Sequence, residues 1–94
     1  MDSNMVITRV EVTELIEPKS SNIVSIGYDD RADTAFVTFK NGSLYKYSDV
    51  SEEEYQNLRD AESVGKYLQS TFIKKGFEYE KLEDTELFVN ETND

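Results

Sequence analysis

Thr34-Ala35-Phe36-Val37-Thr38-Phe39-Lys40-Asn41-Gly42-Ser43-Leu44-Tyr45-Lys46-Tyr47-Ser48 decides the fold. Two runs rich in β-branched and aromatic residues flank Asn41-Gly42, a pair that tolerates positive φ and marks a tight hairpin. The register follows from which loop length keeps the apolar side chains together. A two-residue Asn41-Gly42 turn would pair Phe39 with Leu44 and Thr38 with Tyr45. It would place Val37 and Phe39 on the face opposite Tyr45 and Tyr47. A three-residue loop, Lys40-Asn41-Gly42 with Gly42 left-handed, pairs Val37 with Tyr45 and Ala35 with Tyr47. One face then carries Ala35, Val37, Phe39, Tyr45 and Tyr47, and the other Phe36, Thr38, Leu44 and Lys46. The second register is the expected one, because a one-residue slip splits the apolar set.

Outward from the hairpin, the chain alternates strands and turns. Residues 5–12 read as a strand, with Val6, Thr8, Val10 and Val12 alternating against Ile7, Arg9 and Glu11. Glu17-Pro18-Lys19-Ser20-Ser21 breaks it. Residues 22–28 read as a second strand, and Asp29-Asp30-Arg31-Ala32-Asp33 as a solvated turn. That turn lacks the alternating ligands, central Gly and distal Glu of a calcium loop.

Two helices are expected after the hairpin. Ser51-Glu52-Glu53-Glu54 has the form of a capping box, and Tyr55, Leu58 and Ala61 recur at helical spacing. Ser63 caps a second helix with Val64, Tyr67, Leu68, Thr71 and Phe72 on one side, ended by Gly76. Residues 77–82 read as a last short strand. The expected fold class is therefore α+β: a small antiparallel meander packed on one face by two consecutive helices, a single domain over residues 1–82. Residues 83–94 read as an acidic, mobile tail dispensable for folding, despite the small apolar group Leu87-Phe88-Val89.

The ordered string Ser20-Ser21-Asn22-Ile23, Ile26-Gly27-Tyr28-Asp29, Val37-x-Phe39, Gly42, Tyr45-x-Tyr47 and Ala61-x-Ser63-x-Gly65-x-Tyr67 resembles the KTSC domain. That family is named for its place at the C-terminus of some lysyl-tRNA synthetases, and it includes small stand-alone bacterial and phage proteins. The resemblance spans about 55 residues and rests on the order of many weak signals. Ser51, Leu68 and Ala35 replace a common Pro, Phe and larger aliphatic. The resemblance implies a binding module for nucleic acid, RNA above all, or for nucleotide.

Composition narrows the chemistry. The chain has 94 residues, no Cys and no His, which excludes disulfides, thiolate chemistry and an ordinary zinc site. It has no phosphate-cradling glycine loop and no nucleophile elbow. It is expected not to be an enzyme and to use no metal or cofactor. No apolar run is long enough to span a membrane, and Met5-Val6-Ile7 is too short for a signal peptide, so a cytoplasmic protein is expected.

The net charge of −10 is unevenly spread. Residues 1–18 carry −3 (Arg9 against Asp2, Glu11, Glu14 and Glu17), residues 19–75 carry −1, and residues 76–94 carry −6. Phosphate binding depends on local lysine and arginine density, so a nearly neutral centre leaves room for a basic face.

Three sets of residues are candidates for a ligand site. Ser63, Gly65 and Lys66 open the second helix, where an anion can meet backbone N–H groups; the same residues serve equally as an N-cap and a close-packing glycine. Ser20 and Ser21, with Asn22, offer hydroxyls and an amide, or a turn cap. Tyr45 and Tyr47, with Lys46 between them, form either a stacking platform for bases or core under the helices. The register places both tyrosines with Val37 and Phe39, which favours core. A basic set of Lys40, Lys46, Arg59, Lys66, Lys74 and Lys75 is also available. The resemblance places a ligand near the start of the second helix and the open end of the hairpin. The competing function is an acidic inhibitor or adaptor that engages a basic protein surface, as a phage-type regulator or nucleic-acid mimic would.

Overall fold

The computed structural model describes residues 6–90. In chain order it contains β1 (Thr8–Val12), β2 (Glu14–Ile16), β3 (Ile23–Asp29), β4 (Thr34–Phe39), β5 (Leu44–Tyr47), α1 (Glu52–Arg59), α2 (Val64–Tyr67), β6 (Tyr79–Leu82) and β7 (Thr85–Val89). From α2 the chain continues as one π-helical turn, Leu68–Phe72, and one 3-10 turn, Ile73–Lys75. It stops at Gly76, which is left-handed at φ 81°. Strands β2-β3-β4-β5-β6 form an antiparallel sheet in that order, and β1 and β7 form a separate parallel pair. The α+β class is as the sequence predicts.

The hairpin adopts the three-residue loop. Val37 pairs with Tyr45 and Ala35 with Tyr47. Phe39 N donates to Ser43 O at 2.8 Å and Gly42 N to Phe39 O at 2.9 Å. Gly42 sits at φ 96° with open space around it, so the backbone angle alone selects glycine there. The capping box on α1 is complete: Glu54 N donates to Ser51 Oγ, and Ser51 N donates to Glu54 Oε1.

The pleat sends alternate side chains to two separate cores. Toward the helices, Ile26, Tyr28, Ala35, Val37 and Tyr47 meet Val50, Tyr55, Leu58, Val64, Leu68 and Phe72. On the far face, Phe36 and Leu44 join Val12, with Val10, Leu15, Leu82, Leu87 and Val89 packed around them. The β1–β7 ribbon covers this face. Gly27, opposite Phe36 in the ladder, permits its close approach, since a Cβ there would lie 3.2 Å from Glu14 O and 3.5 Å from Leu87 Cδ1.

Two expectations need correction. The N-terminal strand starts at Thr8, not within 5–7, and Met5 lies outside the described residues. A bend at Thr13 then passes the chain from the ribbon into the main sheet as β2. Thr13 N and Oγ1 both donate to Tyr28 O, at 2.7 and 2.8 Å, which fixes the crossing. The stretch read as a mobile tail carries β7, whose five residues pair with β1 from Thr8↔Thr85 to Val12↔Val89. Residues 91–94 lie outside the described residues.

The helices are tied to the sheet by buried phenols. Tyr28 and Tyr55 stack at 4.6 Å between centroids. Tyr28 Oη donates to Val50 O at 2.6 Å, and Tyr55 Oη to Glu14 Oε2 at 3.2 Å. Burial, then the Asp33 charge, pushes the Tyr28 phenol up to about 12; burial and Glu14 raise that of Tyr55. Below pH 10 both states hold neutral phenols. Between about 10 and 12 the unfolded chain loses these protons while the folded chain keeps them, so stability falls as pH rises. The thermal midpoint is expected to drop across that window, and Tyr28→Phe to soften the drop. A flat midpoint would contradict the burial of these hydroxyls.

Candidate functional site

The segment before β3 lies against the first turn of α2. Ser20 Oγ accepts from Asn22 N and Ile23 N, both at 3.1 Å, and so caps the turn that starts β3. Ser63 Oγ accepts from Lys66 N at 3.3 Å and caps α2. Gly65 allows the two caps to meet: a Cβ there would lie 3.4 Å from Ser20 Oγ. The result is a shallow groove between Lys19, Ser20, Ser21 and Asn22 on one side and Ser63, Gly65, Lys66 and Gln69 on the other.

The groove continues past the hairpin turn. Asn22 and Gln69 also border Phe39, Lys40 and Asn41. Phe39 and Asn41 in turn open a cleft of about 420 Å³ with Ser43, Tyr45, Tyr47, Ile73 and Tyr79. The whole strip contains Lys19, Lys40 and Lys66 and not one carboxylate, in a chain with 20 acidic residues. Among the described residues these three lysines make no ion pair. The acids Glu78, Glu80, Glu83, Asp84 and Glu86 are exposed and do not line the strip, although Glu78 and Glu80 flank Tyr79 in the chain. What the strip offers is therefore ammonium, hydroxyl and amide groups beside aromatic rings.

The structure joins Ser20, Ser21, Ser63, Gly65 and Lys66 in one groove, as the sequence suggested in two separate pieces. It also connects that groove to Tyr45 and Tyr47. Three of the candidate residues do not serve a ligand directly, two of them as the register implies. Tyr47 is 5% exposed and meets Phe72 edge-on at 5.3 Å, so it is core and only its rim reaches the cleft. Lys46 points to the opposite face, opposite Phe36 and Glu80 in the ladders, so it does not lie among the tyrosines. Arg59 is engaged with Glu14 at 3.2 Å and Asp60 at 2.9 Å, which raises its pKa and takes it out of the basic set. The groove also meets the closed end of the hairpin, at Lys40 and Asn41, where the open end was expected. Lys19, Gln69, Ile73 and Tyr79 escaped the sequence reading. Lys19 adjoins the Ser20-Ser21 pair and could have been included on that ground; the others are joined only by the fold.

The turn at Asp29–Asp33 is closed by its own bonds. Asp29 Oδ1 accepts from Arg31 N and Nε, at 3.0 and 2.9 Å. Among the described residues no group of three or more carboxylates is placed to hold a metal ion, and no helix is long and apolar enough to cross a membrane.

A five-stranded antiparallel sheet under two consecutive helices, with a carboxylate-free strip along its helix side, defines a small α+β domain. The chain belongs to the KTSC domain family, whose model matches residues 19–77. Among solved structures, a KTSC domain protein from Yersinia pestis is similar, with a TM-score of 0.65 and 33% identity, covering 73% of this chain and 96% of that one. An uncharacterized protein from Stutzerimonas stutzeri is 32% identical over 65 residues, covering 69% of this chain and 92% of its own length. A lysine–tRNA ligase from Nostoc punctiforme is 32% identical over 68 residues, which are 72% of this chain but 12% of the ligase.

Proposed function

We propose that this protein is a non-enzymatic module that binds nucleic acid through the strip running from Lys19 and Lys66 past Lys40. The observation that supports this reading is the absence of carboxylates from the strip in a protein of net charge −10. A phosphate chain along the strip meets lysines and no lining carboxylate, with Glu62 confined to an adjoining hollow that shares Ser63 and Lys66. Similarity to a segment of lysine–tRNA ligases agrees with it. No cluster of titratable groups in the strip is suited to acid–base or nucleophilic work.

Three unpaired lysines support weak binding with a clear salt dependence, since each phosphate contact releases counterions. Affinity for RNA or DNA oligonucleotides is expected to fall steeply as salt rises from about 50 mM. Lys66→Glu should weaken binding to all sequences alike and reduce the salt slope, as loss of a phosphate contact does. Fluorescence anisotropy at several salt concentrations reads both. No binding of RNA or DNA at about 50 mM salt would overturn the reading. Capture of a basic protein in its place would establish the acidic-adaptor function.

A further inference from the structure

Resting on that reading, we infer that the aromatic cleft receives an unpaired base of a single-stranded nucleic acid, stacked against Tyr79, while the adjoining backbone runs along Lys40 toward Lys66. Tyr79 is 67% exposed and Ile73 is 45% exposed, and both line this one cleft. Together they give an incoming ring apolar surface to cover in one depression. The cleft floor is fixed in advance. Tyr45 and Tyr47 lie 6.0 and 6.2 Å from the Tyr79 ring, and Tyr47 is itself braced by Phe72. A flat aromatic guest therefore finds rings already ordered, and loses little entropy on docking.

The rim selects a guest with polar edges. Asn41 Oδ1 accepts from Ser43 N at 2.9 Å, which leaves the Asn41 amide nitrogen directed to donate elsewhere. A base carries carbonyl and ring-nitrogen acceptors at its edges that can take the place of water on this exposed donor, which an aliphatic guest does not. Charge complementarity decides between a base and a neutral aromatic peptide. The cleft opens, through Phe39 and Asn41, onto Lys40 and then Lys66, and no acid intervenes. Bases within a duplex present only their edges, so a ring that binds by its face requires a single strand. Tyr79 belongs to β6, just beyond the residues 19–77 that the family model matches.

The test uses the full chain and a strand of about ten nucleotides, as RNA and as DNA, carrying one 2-aminopurine, alone or paired with its complement. The protein has no Trp, so the probe's emission reports its own stacking. The single strand is expected to bind about tenfold tighter than the duplex, with quenched emission. Tyr79→Ala should lower single-strand affinity about tenfold and restore the emission, with the salt slope unchanged; Tyr79→Phe should retain both. Because Tyr79 is exposed on an edge strand, an unchanged thermal midpoint confirms that the variant is folded. Lys66→Glu should do the reverse, lowering the slope and leaving the quench of the bound fraction. Equal binding of duplex and single strand, or Tyr79→Ala without effect while Lys66→Glu still weakens binding, overturns this inference alone. Failure of every oligonucleotide to bind, with or without binding of a basic peptide, overturns both it and the function it rests on.

Discussion

Removal of residues 85–94 should lower the thermal midpoint on the order of 15 °C. The deletion takes away β7, and with it the whole partner of β1. Leu87 and Val89 pack on Val12, Phe36 and Leu44, and Leu87 reaches Gly27 in the middle of the main sheet. Leu87, Phe88 and Val89 are each partly buried. Half-burial of three such side chains contributes about 3 kcal/mol, and a domain of this size melts roughly 4–8 °C lower for each kcal/mol lost. Calorimetry on the shortened chain measures the shift directly. A midpoint within a few degrees of the full chain would mean that the ribbon contributes no stability and that the far face of the sheet is not a second core.

Tyr55→Ala is expected to cost about 3–5 kcal/mol, a large share of the roughly 5–15 kcal/mol that holds a small domain together. Tyr55 is 1% exposed and is the largest of the fully buried side chains. Its ring stacks on Tyr28, and its hydroxyl reaches Glu14, which also accepts from Arg59. One side chain thus joins α1, β2 and β3. Truncation leaves a cavity at the centre of the helix–sheet interface. Tyr55→Phe keeps the ring and removes only one hydrogen bond, so it should cost about 1 kcal/mol. Urea unfolding of the two variants separates the contributions. Equal losses would show that the hydrogen bond to Glu14, and not the packed ring, carries the interaction.

The parts of this fold that were legible in the sequence are those specified locally. Asn41-Gly42 fixed the turn, and the need to keep Ala35, Val37, Tyr45 and Tyr47 on one face fixed the register. Ser51 and Glu54 marked a helix start by reciprocal bonds within four residues. The pairing of β1 with β7 had no such signature. Parallel strands need no shared turn and no fixed spacing, and Leu87-Phe88-Val89 is short and set among acids. The same limit applied to the strip. Ser20, Ser63, Gly65 and Lys66 could be singled out as helix-start and turn residues. Their adjacency, and the approach of Lys40, Gln69 and Tyr79, depends on how α2 and β6 lie over the sheet. Lys46 lies on the face the register gave it, with Phe36 and Leu44; grouping it with the tyrosines as a platform set aside the same period-2 rule.

The β1–β7 pairing also sets an order of events during synthesis. Thr8 leaves the ribosome well before its ladder partner, Thr85. At about 5–20 residues per second, β7 is synthesised on the order of seconds after β1. Until β7 docks, Val12, Phe36 and Leu44 lack the cover of Leu87 and Val89. A chain whose β7 has not docked would therefore present a sheet with part of one apolar face uncovered, the kind of surface that chaperones and proteases select. For this chain, docking β7 and completing the cover of that face are a single step.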